Sequence, residues 1–584
     1  MMEKYNYRKD PHQDIDHVFR DLLPAHGMVE RPAQVELSHQ MLDAMLNGSI
    51  ALCDAGTGIG KTYAYLVAGV VFRRYRSRAG LPNQPLLIST SSIALQGAII
   101  HDYLPFLSKV MMADGMLDSP LRAVLRKGKS HYVCDARLMK RLQTANLDRK
   151  NPLAKAALLS MRDHLDLDMA PHLSGYDRER ICVPPTCDCG KTECRYLCYL
   201  DVCASERYAI QVCNHNLLLA DAIHRGSGKR SILPDSCAIV MDEAHKLTEI
   251  ARQMFGITLE AGELHTLCRK LRREQFLLAA ETLEDTAGLL LSEMAKPWSG
   301  DSSFSHFSIP LDGVERTLSV IHRQIRRMLT AGTRMELERV LDKTKLFCLH
   351  QPDMVYYTAE DETGGSMLCA SATDLTAQLR QTLWQQDRPM ILASGTLAVG
   401  SNFRRFKEET GLLAEGRVRE HIAPSPFDYQ RNCLLYLPQI PPSQADSDYY
   451  DDLAEQIVKL LDAANGHALG LFTSYAAMSA VRERLKQRDL PYPVLTLGRN
   501  GGHTMSEFMA HPGSVLLAAG AAWEGFDFPG DCVSLLILPR LPFPMPDAVK
   551  EQERMKHATL HDFLRAVVVP EMQIKLRQGF GRAI

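Results

Sequence analysis

The stretch Ile50–Thr62, IALCDAGTGIGKT, decides the fold. It reads as a short apolar run, a glycine-rich turn and the start of a helix. Gly56, Gly58 and Gly60 let the backbone curl so that successive N–H groups face inward, where phosphate oxygens can sit. A helix beginning near Lys61 aims the positive end of its dipole at the same point. Ala55 takes the first loop position, where glycine is commoner, and Thr57 and Ile59 complete the loop. In such a loop Lys61 reaches the β- and γ-phosphates of a nucleotide, and the Thr62 hydroxyl ligates Mg²⁺. The alternative is a glycine-rich turn that binds nothing, and the Gly-Lys-Thr register between strand and helix argues against it.

A second apolar run, Ala238–Met241, leads into Asp242-Glu243-Ala244-His245. An acidic pair at the carboxyl end of a buried strand lies where open α/β sheets place their ligands. Asp242 would hold the Mg²⁺ and Glu243 would take a proton from an attacking water. Alone, DEAH is a weak signal; beside a phosphate loop it points to ATP hydrolysis.

Further short apolar runs follow the same pattern at Leu86–Ile88, Met390–Leu392, Leu469–Phe472, Val515–Leu517 and Leu535–Leu538. Runs of this length, bounded by turn residues, suit strands covered on both faces. Helical patterns follow at Lys61–Arg76 and Ala476–Arg488. The expected class is α/β, with two parallel-sheet cores and two large insertions in the first. The parse is 1–110, 206–250 and 386–425 for the first core, with insertions at 111–205 and 251–385. The second core is expected at 426–584. The stretch 251–385 reads as mostly helical, interrupted by a loop-like segment at Lys296–Gly313, and Leu437–Asp448 reads as a linker.

Composition narrows the function classes. The 584 residues carry 67 Lys plus Arg against 69 Asp plus Glu, a formal charge of −2, so a uniformly basic coat is excluded. The longest apolar run, Tyr63–Phe72, is too short for a bilayer, and the polar N-terminus lacks a signal-peptide core. A cytoplasmic protein with no membrane partner is expected. Fifteen cysteines in such a chain argue against a disulfide framework. Cys53, Cys237, Cys369 and Cys532 read as small buried hydrophobes.

The motifs together resemble those of superfamily 2 helicases, and within them the iron–sulfur DinG/XPD-like group. Arg31-Pro32 with Gln34 resembles the adenine-recognising segment, and STSSIALQ, Ser89–Gln96, the motif that grips the nucleic-acid backbone. Ser394-Gly395-Thr396 is similar to the motif linking hydrolysis to strand movement. LFTSY, Leu471–Tyr475, resembles the first motif of the second motor domain. Trp523-Glu524-Gly525 with Asp527 resembles the motif that touches nucleotide and nucleic acid. Gln578-Gly579-Phe580-Gly581-Arg582 is similar to the start of the final motif, whose arginines stabilise charge on the transferring phosphate. The resemblance implies two RecA-like motor domains, the first carrying an iron–sulfur insertion and a helical arch. ATP would lie between the motors and single-stranded DNA would cross both. It adds His245, Gln578 and Arg582 to the catalytic set, and Arg31, Gln34, Glu524, Gly525 and Asp527 to the nucleotide contacts. It implies 5′→3′ unwinding of forked DNA in repair or replication, by a monomer. A further arginine of the final motif would fall at position 585, one past Ile584, so a second motor domain incomplete at its C-terminus is expected. Two other readings stay open: an ATPase that remodels nucleic-acid complexes without processive unwinding, and a nucleic-acid-binding fragment that hydrolyses poorly.

Six cysteines fall between Cys182 and Cys203, with Cys134 upstream. The family segment that presents the first cluster ligand is matched by KGKSHYVCDARL, giving Cys134. Three more ligands are implied shortly before Asn214-His215, with Cys187, Cys189 and Cys194 favoured, Cys198 a close competitor and Cys182 and Cys203 weaker ones. Four thiolates suit a [4Fe–4S] cluster, and by spacing alone they suit zinc equally well. Without a metal this strand-poor insertion would have no evident core. Residues 121–150 also hold nine Lys or Arg against Asp135 and Asp148. Arg122, Arg126, Lys127, Lys129, Arg137, Lys140 and Arg141 are candidates for phosphate contacts, or for a solvated helix face. Tyr132 reads either as a base-stacking ring or as a core tyrosine. Protein purified without oxygen should be brown, absorb near ~400 nm and carry stoichiometric iron; a colourless zinc protein would overturn the iron–sulfur assignment.

Overall fold

The computed structural model describes residues 10–144, 151–184, 194–294, 311–349, 351–360, 366–438, 448–497, 502–523, 528 and 532–583. Most of the Lys296–Gly313 and Leu437–Asp448 segments lies outside them. In chain order the strands are β1 Ile50–Ala55, β2 Leu86–Thr90, β3 Ala123–Leu125, β4 Ile210–Cys213 and β5 Ala238–Asp242. Then come β6 Ile257–Glu260, β7 Met354–Glu360, β8 Ser366–Ala372, β9 Met390–Ser394 and β10 Val418–Ala423. The last four are β11 Ala468–Phe472, β12 Val494–Leu497, β13 Val515–Ala519 and β14 Leu535–Ile537.

Seven strands form one sheet in the order β10-β1-β9-β5-β2-β4-β3, all parallel. Its central strands β1, β2, β5 and β9 are buried at every position. Alternate side chains along them serve opposite faces, because successive Cβ atoms point to opposite sides of a strand. Cys53, Ile88, Val240 and Ile391 pack with Leu37, Met41 and Leu66 on one face. Leu52, Leu87, Ile239 and Leu392 pack with Leu218, Leu219 and Trp384 on the other. This is the physical meaning of the continuous apolar runs: neither face meets water.

The second parallel sheet runs β12-β13-β11-β14. Helices Tyr449–Ala464 and Tyr475–Lys486 bury Leu453, Ile457, Val481 and Leu485 against it. The α/β class with two parallel sheets is as expected.

The stretch 251–385 is not helical throughout. Helices Ala261–Arg273, Leu277–Met294, Leu311–Ile325 and Ala331–Cys348 stand over a three-stranded antiparallel sheet, β6-β8-β7. Their shared core is Leu264, Leu267, Leu283, Leu318, Leu337 and Leu368. In β6 only Leu259 is buried, so it shows no apolar run; β7 and β8 do carry short runs, Met354–Tyr357 and Met367–Ala370, but these lie within a stretch whose helical pattern dominates.

The cysteine-bearing insertion also has a core of its own, contrary to the expectation. Val133, Leu138, Leu158, Met161, Leu167 and Ile181 pack together. Val133 bridges Cys182, and Tyr132 bridges Asp166. Tyr132 is a core residue, 3% exposed, in ring contact with Tyr196 and Tyr199. Several of the basic residues are held internally. Arg126 is buried and donates to Gln211 and to the Ile232 carbonyl. Lys127 bridges Asp166 and Asp168 at 2.6 and 2.7 Å. Arg137 donates to the Cys182 carbonyl, and Arg141 pairs with the buried Asp177. Arg122, Lys129 and Lys140 are exposed.

Lys127→Met should therefore lower the melting temperature by roughly 2–4 °C, the shift that about 1 kcal/mol gives in a mid-sized protein. It should leave the salt dependence of DNA binding unchanged. Lys140→Glu should do the reverse, reducing the slope of log K against log salt by about 0.7 if Lys140 meets a phosphate; fluorescence anisotropy across a salt series checks both.

Candidate nucleotide site between the two parallel sheets

The phosphate loop leaves β1 and enters helix Lys61–Arg78. Gly58 and Gly60 adopt φ of +81° and +86°, the left-handed region that the inward curl of N–H groups requires. The loop is tightly overlaid. Arg31 donates to the Gly58 carbonyl at 2.6 Å and Gln34 to the Gly60 carbonyl at 2.7 Å. Those two bonds place the expected base-recognising residues against the expected phosphate cradle. Ser425 donates to the Thr57 carbonyl at 3.1 Å, and a Cβ on Gly56 would collide with the Ser425 backbone at 2.7 Å. Phe427 crowds Gly58 in the same way. Sequence reading missed both, since no motif marks a connecting segment that folds back over a loop.

β5 delivers the acidic pair to the same edge. Asp242 is 2% exposed, and Tyr65 from the phosphate-loop helix donates to it at 3.4 Å. Burial and then the adjacent Glu243 charge push Asp242 up to about 6, while Lys61 pulls the other way. A divalent cation beside it would favour the charged form. Glu243 also suffers burial, yet His245, Lys61 and Arg582 together hold its carboxyl below the usual range. Its backbone lies at φ +53°, rare for a residue with a Cβ and costing on the order of 1 kcal/mol or more. That backbone angle coincides with the position read as the proton acceptor.

Candidates far apart in sequence meet here. His245 Nδ1 lies 2.8 Å from Ser394 Oγ and 3.3 Å from Glu243 Oε2. From helix Val569–Phe580, Gln578 Nε2 donates to His245 Nε2 at 2.7 Å and reaches Thr396 Oγ1 at 3.4 Å. A Cβ on Gly581 would meet the Thr57 hydroxyl at 2.8 Å, so the final motif abuts the phosphate loop. Thus Arg31, Gln34, Ala55–Thr62, Asp242, Glu243, His245, Gln578 and Arg582 converge on one crevice. Glu524, Gly525 and Asp527 lie outside the described residues. Beside His245 and Gln578 a cavity of about 680 Å³ continues toward Gly256, Cys369 and Lys550.

A further buried group, His215, follows β4 at the head of helix His215–Gly226. Its Nδ1 lies 2.6 Å from Ser89 Oγ at the end of β2. Burial and then the nearby His245 depress its pKa to about 4.

The cysteine candidates are only partly visible. Cys134 is buried and packs with Tyr132 and Val183, against Tyr196 and Tyr199 from the helix that Cys194 begins and Cys198 continues. Cys187 and Cys189 lie outside the described residues. Among the described residues no three His, Cys, Asp or Glu side chains are grouped to hold a metal ion. Cys53, Cys237 and Cys369 are buried as expected, and Cys532 is half-buried. No helix among the described residues is long and apolar enough to cross a membrane.

Residues 457–584 match the family model described as helicase C-terminal domain. The chain is 27% identical to the ATP-dependent DNA helicase YoaA of Haemophilus influenzae, covering 96% of this chain and 89% of that protein. It is 26% identical to the ATP-dependent helicase DinG of Mycobacterium tuberculosis, with 96% and 89% covered. Among solved structures it is similar to an XPD helicase, with TM-score 0.56, 13% identity, and 95% and 94% of the two chains covered. Xpd4 of S. tokodaii gives TM-score 0.55 at 17% identity, with 95% and 93% covered.

Because His215 is neutral in the fold, its contribution is complete above its unfolded pKa of about 6.5 and lost as pH falls through 4. Up to roughly 3 kcal/mol of stability should disappear across that window. Chemical denaturation from pH 7 to pH 4 should show His215→Gln with a shallower decline than the parent.

One phosphate loop, an acidic strand end and a glutamine–histidine contact thus share a crevice between two parallel sheets, in a chain that along nearly its whole length is similar to the ATP-dependent helicases YoaA and DinG and shares the fold of XPD.

Proposed function

We propose that this chain is an ATP-dependent DNA helicase that moves along single-stranded DNA, 5′→3′, and splits forked duplexes in repair or replication. The observation that carries the reading is the contact of Gln578 with His245, which joins the last motif of one sheet to the acidic strand of the other. A nucleotide cradled at Lys61 would feel both halves, so its cleavage can change how they meet.

The residues act as follows. Inward N–H groups of Gly56–Lys61 and the Lys61 ammonium neutralise the phosphates of ATP. Thr62 and Asp242 would hold Mg²⁺, which when bound neutralises charge on the transferring phosphate. The buried carboxylate of Asp242 beside the glycine curl fits that ion. Glu243, ionised at neutral pH, accepts the proton of the attacking water, with His245 and Ser394 fixing its direction. Arg582 stabilises the charge that develops. Arg31 and Gln34 would seat the adenine, and Glu524, Gly525 and Asp527 would complete the nucleotide contacts. Separating each base-pair step takes about 1.4 kcal/mol of stacking, which the cycle must supply.

For the insertion at 111–205 we propose a [4Fe–4S] cluster on Cys134 and three of Cys187, Cys189, Cys194 and Cys198, with zinc as the alternative. The thiol chemistry of the set and the approach of the Cys194 helix to Cys134 support a soft metal. Bound, it would tie that insertion together. The helical unit at 251–385 would arch over the strand.

Lys61→Ala should cut DNA-stimulated ATP turnover by roughly 10²-fold or more, since the cradle loses the ammonium that faces the phosphates. A coupled phosphate-release assay measures this, and a tailed-duplex strand-displacement assay on the parent protein completes the test. Turnover without displacement would favour a remodelling ATPase, and unchanged turnover in the variant would remove the loop from its role.

A further inference from the structure

We propose that Asp54 and Arg577 form a latch between the two parallel-sheet units, setting the turn beside the phosphate loop for hydrolysis without touching the nucleotide. The inference rests on the helicase reading and adds a positioning pair to it.

Asp54 is the residue of β1 just before the phosphate loop, and its carboxylate is 1% exposed. Such a group must be paired, because an uncompensated buried charge is costly. Its partners come from two directions. The Ala398 backbone N–H donates to Oδ2 at 2.7 Å. Arg577 donates to Oδ1 through Nη2 at 2.7 Å and reaches Oδ2 through Nη1 at 3.4 Å. The same Nη1 donates to the Ala398 carbonyl at 3.3 Å. One guanidinium therefore grips both a carboxylate and a peptide of the opposite unit.

The arrangement is asymmetric. Arg577 is 43% exposed, so it returns to water at small cost when the units part. Asp54 is 1% exposed with Arg577 in place and, once that guanidinium leaves, would keep the Ala398 N–H. Parting is opposed chiefly at Asp54, beneath the loop that holds the nucleotide. The gripped peptide also matters. Ala398 follows Ser394-Gly395-Thr396, and a Cβ on Gly395 would lie 3.3 Å from the Ala55 carbonyl and 3.6 Å from Lys61 Nζ. That turn leans on the phosphate loop from one side, and the latch holds its far end. One residue on, Gln578 engages His245 and Thr396. Neighbouring side chains on one helix thus clamp two ends of the same turn, and loss of Arg577 releases one of them.

The test uses the full chain with R577Q, D54N and the double variant. D54N keeps the shape and an acceptor for the Ala398 N–H while removing the charge. Fluorophores on non-natural residues at the exposed positions Ser77 and Gln487 report the separation of the units by single-molecule energy transfer. Nucleotide-free R577Q should shift toward lower transfer. Its kcat for DNA-stimulated hydrolysis should fall about tenfold with KM for ATP within about twofold, since positioning and not binding is lost. The double variant should be no worse than the poorer single one, and R577K should recover part of kcat. An R577Q transfer distribution that matches the parent overturns the latch, as do losses that multiply in the double variant. R577Q alone decides the matter if D54N fails to fold. A parent protein without Lys61-dependent hydrolysis would sink the helicase reading, while the energy-transfer comparison would still decide the latch.

Discussion

Parallel strands deliver every strand-to-helix connection to one edge of their sheet, and the site depends on that constraint. β1, β5 and β9 lie side by side, so the phosphate loop, Asp242-Glu243 and Ser394-Gly395-Thr396 emerge together. No single contact needs to gather them. Backbone hydrogen bonding along the ladder, buried on both faces by helices, fixes their spacing before any side chain is considered. Side chains then do the finer work, joining that edge to the helix Val569–Phe580 of the second unit.

The same geometry explains what could be read from residues alone. A central strand wrapped on both sides is apolar over most of its length, so β1, β5, β9, β11 and β13 stand out as continuous runs. Edge strands carry no such obligation. β10 has exposed Arg419, Glu420 and Ile422 along its length, and β12 is half-buried over most of its residues. Neither is visible as a run. β4 is fully buried but short, and its Gln211 breaks the apolar pattern while bonding the buried Arg126.

For the site, legibility followed chain distance. The phosphate loop is contiguous and its chemistry could be assigned residue by residue. His245 and Gln578 were reachable only through the family resemblance, and Tyr65 and Ser425 were not reachable at all. Their roles arise from approach in space, with no local pattern to mark them. Charge runs misled for a related reason. Lys127 reads as a free cation until Asp166 and Asp168 fold back onto it, and Arg141 until Asp177 does. Local charge counts cannot register a counter-ion supplied from further along the chain.

The partners of β1 have one more consequence. Both of its neighbours, β9 and β10, are encoded after the two insertions: Met390 and Val418 stand opposite Ile50. During synthesis the strand that carries the nucleotide cradle emerges early, yet must wait for most of the polypeptide before either flank can pair. Until then its apolar residues and open edges are a hazard for misassociation. The nascent protein would gain most from a chaperone during that interval, and ATP could serve as a folding ligand only once residues near 423 have left the ribosome.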